Sequence, residues 1–104
     1  MIKIKTKEGN EYTLDFDRDS ITYLEKLGFS LNLYSQQPMT MMPILFKAAF
    51  FKNHRFEKQS VIDKLYDGIK NRNKLMGALV DMVGDSYQSL VADSDEGNAD
   101  WEIM

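Results

Sequence analysis

The chain has no cysteine, one histidine, one tryptophan and two prolines in 104 residues. Without cysteine there is no disulfide framework and no thiolate nucleophile. A zinc site needs several His or Cys ligands, and nucleophilic catalysis needs an activated Ser, Cys or Lys beside a base. One imidazole with no thiol assembles neither. No Walker-type loop, no GxGxxG and no GxSxG occurs. No apolar run approaches the roughly 20 residues that cross a bilayer. The first residues, MIKIKTKEG, alternate charged and apolar side chains, unlike the apolar block of a signal peptide. A soluble cytoplasmic protein is the expectation.

What is present is ordinary for a globular chain: 43% hydrophobic and 28% charged residues. This length makes one domain, which buries roughly 60–70% of the surface its unfolded chain exposes. The net charge of -3 hides an asymmetry. Asp93, Asp95, Glu96, Asp100 and Glu102 crowd the last dozen residues with no base among them. The other residues carry 13 bases against 11 acids, a body of net +2. Neither part holds a dense basic patch, so no nucleic-acid partner is expected. The domain is read as 1–92, and 93–104 has the composition of a solvated, mobile acidic tail.

The most apolar stretch is Pro38 to His54, PMTMMPILFKAAFFKNH. Met39, Met42, Leu45, Phe46, Ala49 and Phe50 recur at helical spacing, and Met41, Ile44, Ala48 and Phe51 fill a second face. A helix apolar on nearly every side must be wrapped by others. The spacing predicts a buried central helix over 40–53, with Thr40 as N-cap so that Pro43 falls in the first turn.

The remaining elements arrange themselves about that rod. Ile2, Ile4 and Thr6 alternate with lysines, and Tyr12, Leu14 and Phe16 alternate with Glu11, Thr13 and Asp15, the period of two half-buried strands. A three-residue loop, Glu8-Gly9-Asn10, pairs Ile4 with Leu14, Ile2 with Phe16, Lys3 with Asp15 and Lys7 with Glu11. Asn10 then takes the left-handed position. Helices follow at about 18–27, capped by Asp17 and ended by Gly28 with Phe29 in a Schellman contact, then 57–70 and 74–91, the last capped by Asn73. Gly77 and Gly84 imply a close crossing or a kink in the last helix. The fold expected is α+β and mainly α: a hairpin over 2–16 packed on a bundle of about four helices.

Candidate chemistry is thin. Asp15, Asp17 and Asp19 have the spacing that opens a calcium loop, but Ser20 and Lys26 stand where the motif wants Gly and Glu. Asp63 with Asp67 and Asp81 with Asp85 are i,i+4 pairs of the solvated kind. His54 reads as a surface group at a helix end. No catalytic residue, metal ligand or cofactor is expected. Seven methionines are many for this length. Met39, Met41 and Met42 fill a core or form an adaptable surface. Trp101, in the acidic EGNADWEIM, is a docking anchor or packs back on its own domain. The candidate partner-binding residues are Met39, Met41, Met42, Phe51 and Trp101.

The blocks SITYLEKLGFS, QPMTMMPILFKAAFFKNH, VIDKLYDGIKN and GNADWE, in this order after a hairpin, carry a likeness. From about Ile4 to Trp101 the chain resembles the small tail assembly chaperones encoded by long-tailed phages and prophages of Gram-positive bacteria. The resemblance implies a non-enzymatic protein of the host bacterial cytoplasm that binds the tape measure protein. It implies that the chaperone keeps that client soluble, promotes assembly of tail tube protein along it and is absent from the finished particle. The alternatives are a structural or connector protein retained in the tail, or a general protein-binding adaptor. Apolar surface that awaits a client can also pair with a second copy, so homo-oligomers stay within expectation.

Overall fold

A computed structural model describes residues 1–91, 99, 102 and 103. The candidate Trp101 and most of the acidic segment lie outside the described residues. Two antiparallel strands, β1 (Ile2–Lys5) and β2 (Glu11–Leu14), precede five helices. These are α1 (Arg18–Lys26), α2 (Leu31–Gln36), α3 (Pro38–Ala49), α4 (Gln59–Gly68) and α5 (Arg72–Val91). The fold is α+β and mainly α, with α3 in contact with α1, α2, α4 and α5.

The hairpin keeps the expected faces but not the expected register. Ile2 pairs with Leu14, Lys3 with Thr13, Ile4 with Tyr12 and Lys5 with Glu11. The loop is three residues, as expected, yet it is Lys7-Glu8-Gly9, one residue earlier. Gly9 N–H donates to Thr6 O at 3.1 Å, and Thr6 N–H donates to Asn10 O at 2.9 Å. Gly9, at φ 92°, takes the left-handed position assigned above to Asn10. Glycine reaches that region without a Cβ penalty, and asparagine only tolerates it. Moving the loop by one residue shifts every pair by two, so Ile4, Tyr12 and Leu14 still face the core.

Local signals place α1 closely. The Asp17 carboxylate accepts from Ser20 N–H at 2.8 Å, and Ser20 Oγ accepts from Asp17 N–H at 2.7 Å, a reciprocal capping box. At the far end Gly28, at φ 93°, donates to Glu25 O at 3.0 Å, and Phe29 donates to Leu24 O at 3.3 Å. That is a Schellman motif, and Phe29 is buried beneath it. Ser30 then caps the short α2 by accepting from Leu33 N–H at 3.0 Å.

The central helix begins earlier and ends sooner than 40–53. Pro38 occupies its first turn, where the fixed φ favours helix, and Gln37 rather than Thr40 is the N-cap. Pro43 therefore lies inside the helix. The carbonyl that loses its partner is that of Met39, on the exposed first turn of the helix. Met41, Leu45, Phe46, Ala48 and Ala49 are buried, while Met39, Thr40 and Pro43 face outward. So α3 is wrapped along its C-terminal half and bare at its start.

The joint between α4 and α5 differs from the sequence reading. Asn71 sits at φ 54°, and its carbonyl accepts from Leu75 N–H, so α5 starts at Arg72 without Asn73 as its cap. Arg72 clamps the joint: Nε donates to Tyr66 O at 2.9 Å, Nη2 donates to Asp67 O at 2.7 Å, and the guanidinium lies 4.8 Å from the Tyr66 ring centre. These donors satisfy carbonyls that the end of α4 leaves open. Among the described side chains of α5 the fully buried ones are Met76, Leu79 and Val83; Leu75, Met82 and Tyr87 are half-buried. A Cβ added at Gly77 or Gly84 would meet nothing within 4 Å, and α5 runs unbroken through both. Neither glycine serves a close crossing.

The hairpin is fastened to α3 by the turn that follows it. Asp15 N–H donates to Ala49 O at 3.1 Å. Thr13 N–H donates to His54 Nε2 at 2.9 Å, and Asn53 Nδ2 approaches Thr13 O at 3.4 Å. His54 is half-buried, 5.3 Å from the Tyr12 ring and 6.1 Å from that of Phe50. It is a structural acceptor rather than the surface group expected. Lys52 Nζ lies 2.8 Å from Asp15 Oδ2. Burial pushes the Asp15 carboxyl up, but hydrogen bonds from Lys52 and Phe16 N–H, with the Lys52 charge, outweigh it and hold the pKa below 3.8.

Two outcomes follow from this packing. Gly77→Ala and Gly84→Ala each raise stability by about 0.5–1 kcal/mol, read as a higher thermal midpoint, because the added methyl enters open space on a helix. Lys52→Met lowers the urea midpoint at neutral pH. Asp15 has a depressed folded pKa, so its contribution is present above the ordinary carboxylate value and fades as pH falls below about 3.8. The gap between variant and wild type therefore closes in that acid window, and equal midpoints at neutral pH would refute the linkage.

Candidate functional site

Helix α3 ends without glycine, in a tightened turn. Phe50 N–H donates to Lys47 O and Phe51 N–H to Ala48 O, and His54 N–H returns to Phe50 O at 2.7 Å. This winding sends Phe50 inward, where it is 1% exposed and packs edge-on to Phe46 at 5.1 Å. Phe51 is left at the rim. Its ring stacks on Tyr23 of α1, with centres 4.6 Å apart and planes 21° apart. The Arg55 guanidinium lies 4.4 Å from the Phe51 ring centre.

Two open clefts meet at this stack. One runs from the end of α3 toward α4 and is lined by Lys47, His54, Glu57, Gln59 and Ile62. The other runs along α1 past Asp19, Thr22 and Lys26. Tyr23, Phe51 and Arg55 border both. The ion pairs among the described residues are Lys3 with Glu11 and Lys52 with Asp15, so Lys26, Lys47 and Arg55 have no ion-pair partner there. Next to Arg55, in the polar connector before α4, Phe56 is 94% exposed. An aromatic floor, a cationic rim and a projecting aromatic are the features of a surface that holds another protein by an anchor.

The residues singled out from sequence do not gather in one place. Met39, 83% exposed, and half-buried Met42 belong to the start of α3, near Leu31 in sequence and also exposed. Phe51 lies about 18 Å away at helical rise. Met41 is a correction: at 5% exposure it belongs to the core and is closed to a partner. Helical rotation decides this, since Met41, Leu45 and Ala48 share the inward stripe while Met39 and Pro43 share the outward one. Trp101 lies outside the described residues. Sequence reasoning passed over Phe56, Tyr23 and Arg55. A signal for Phe56 was available: it is the lone apolar residue in the run KNHRFEK, with no helical stripe to join.

Three of the acids considered for metal binding have other partners. Asp15 holds Lys52, Asp17 caps α1, and Asp63 accepts from Gln59 Nε2 at 2.7 Å. Among the described residues no three His, Cys, Asp or Glu side chains gather as a metal site, and no helix is long and apolar enough to cross a membrane.

No curated protein and no solved structure matches the chain significantly. A family model does match over residues 1–104, and the chain belongs to the family described as Domain of unknown function (DUF5055).

Proposed function

We propose that this protein works by holding another protein, as a phage tail assembly chaperone whose client is the tape measure protein. The observation that carries the reading is Phe56, an aromatic almost wholly in water whose chain neighbours Arg55 and Glu57 line the cleft floored by Tyr23 and Phe51. An exposed aromatic contributes nothing to the fold, and a partner that covers it recovers its full apolar burial. Met39 and Leu31 supply a second sticky point at the other end of α3. A long helical client with apolar stripes is the kind of chain that two such points can cover together. The block order of the sequence supports the choice of the tape measure protein over other clients. On this reading the protein acts in the host bacterial cytoplasm, needs no cofactor, and assists addition of tail tube protein along the covered client.

Co-expression with the tape measure protein encoded beside it tests the proposal. The soluble fraction of the client rises several-fold with the wild-type chain and falls back with Phe56→Ser. That variant leaves the thermal midpoint within a degree or two, because the side chain packs against almost nothing. A client equally insoluble with and without the wild-type chain would remove the basis for this function.

A further inference from the structure

The two edges of the hairpin are unlike. In this register Thr6 and Asn10 bond to each other, so the bonded pairs continue at Ile4 with Tyr12 and at Ile2 with Leu14. The alternate residues turn their backbone groups away from the partner strand. On β2 these are Glu11, Thr13 and Asp15, and the end of α3 with the turn after it occupies Thr13 and Asp15 through His54, Asn53 and Ala49. On β1 they are Lys3 and Lys5. Their N–H and C=O groups have no backbone or side-chain partner among the described residues, and no helix packs substantially on β1. Lys3, Lys5 and Lys7 are all exposed, and among the described residues only Lys3 has a carboxylate within ion-pair distance, Glu11 at 3.6 Å.

We propose that the outer edge of β1 receives an acidic extended segment of a partner protein, added as a third antiparallel or parallel strand. The edge offers two N–H donors and two carbonyl acceptors at the spacing of a strand ladder, the means by which such additions gain affinity. Charge selects the occupant. One side of an added strand lies among the ammonium groups of Lys3 and Lys5, which favours Glu or Asp at alternate positions. The other side lies along Ile2 and Ile4, which favours apolar residues between them. The same lysines oppose pairing with a second copy of β1, where like charges would face each other. This edge is separate from Phe56 and its cleft, so it can bind while that surface is empty.

The test uses the full-length protein and two labelled peptides, one alternating glutamate and valine, the other lysine and valine. Fluorescence anisotropy gives affinity, and amide exchange by NMR gives the location. The acidic peptide binds, more weakly as salt is raised, and slows exchange of the Lys3 and Lys5 amides. Lys3→Pro with Lys5→Pro removes the two outward donors without touching the β1–β2 bonds and weakens binding at least tenfold. Lys3→Glu with Lys5→Glu reverses the preference and keeps every backbone donor, so it remains decisive if the proline variant unfolds. Both expectations hold in a Phe56→Ser background. Equal binding of the two peptides, or affinity unchanged in the charge-reversed variant, would overturn the proposal. So would Lys3 and Lys5 amides already slow in the peptide-free protein: independent of concentration this marks the chain's own acidic segment, and rising with concentration it marks a second copy.

Discussion

A two-stranded hairpin in water has an apolar face and two rows of unpaired backbone groups, and by itself it is barely stable. Here one short turn resolves most of that problem. The end of α3 and the five residues after it place the Ala49 carbonyl, the Asn53 amide and the His54 imidazole along the outer side of β2. The turn that ends the central helix thereby replaces a third strand. The hairpin's face is laid on the core, where Leu14 is fully buried and Tyr12 meets Phe50 at 5.6 Å. Accepting through Nε2 fixes the tautomer of His54, which carries its proton on Nδ1. A residue that sequence inspection assigns to the surface is thus a structural pin between two ends of the domain.

How much of this was legible depended on distance along the chain. The Asp17 cap and the Schellman end of α1 are each written within six residues, and each was read; the returning bond of Ser20 that completes the capping box was not. The hairpin register turned on a choice between Gly9 and Asn10, neighbours that both suit a left-handed turn; parity preserved the faces when the loop moved. The start of α3 offered a similar choice between Pro38 and Pro43 as the proline of the first turn. The bond of Thr13 to His54 spans 41 residues and leaves no periodic trace. The Arg72 clamp is likewise invisible, because an arginine at a helix start gives no hint of which carbonyls it will meet.

The candidate site was legible by composition more than by place. The stretch rich in Met and Phe is where exposed apolar groups were expected, and Met39 is one of them. Yet twelve residues of helix turn a compact sequence block into two separated ends, with Met41 swallowed by the core between them. Phe56 was overlooked because apolar periodicity rewards residues that belong to a stripe, and Phe56 belongs to none. An aromatic with no role in a stripe is spare to the fold, which makes it informative about what the fold is for.

The sealing of β2 has a consequence for how copies of this molecule behave at high concentration. A protein with two bare sheet edges is divalent and can polymerise without limit by stacking edge on edge. With β2 covered at Thr13 and Asp15, a single outward residue, Glu11, is too little for a ladder on that side, so strand exchange between copies is monovalent. Any such encounter ends at a symmetric pair, and a fibril has no second valence from which to grow.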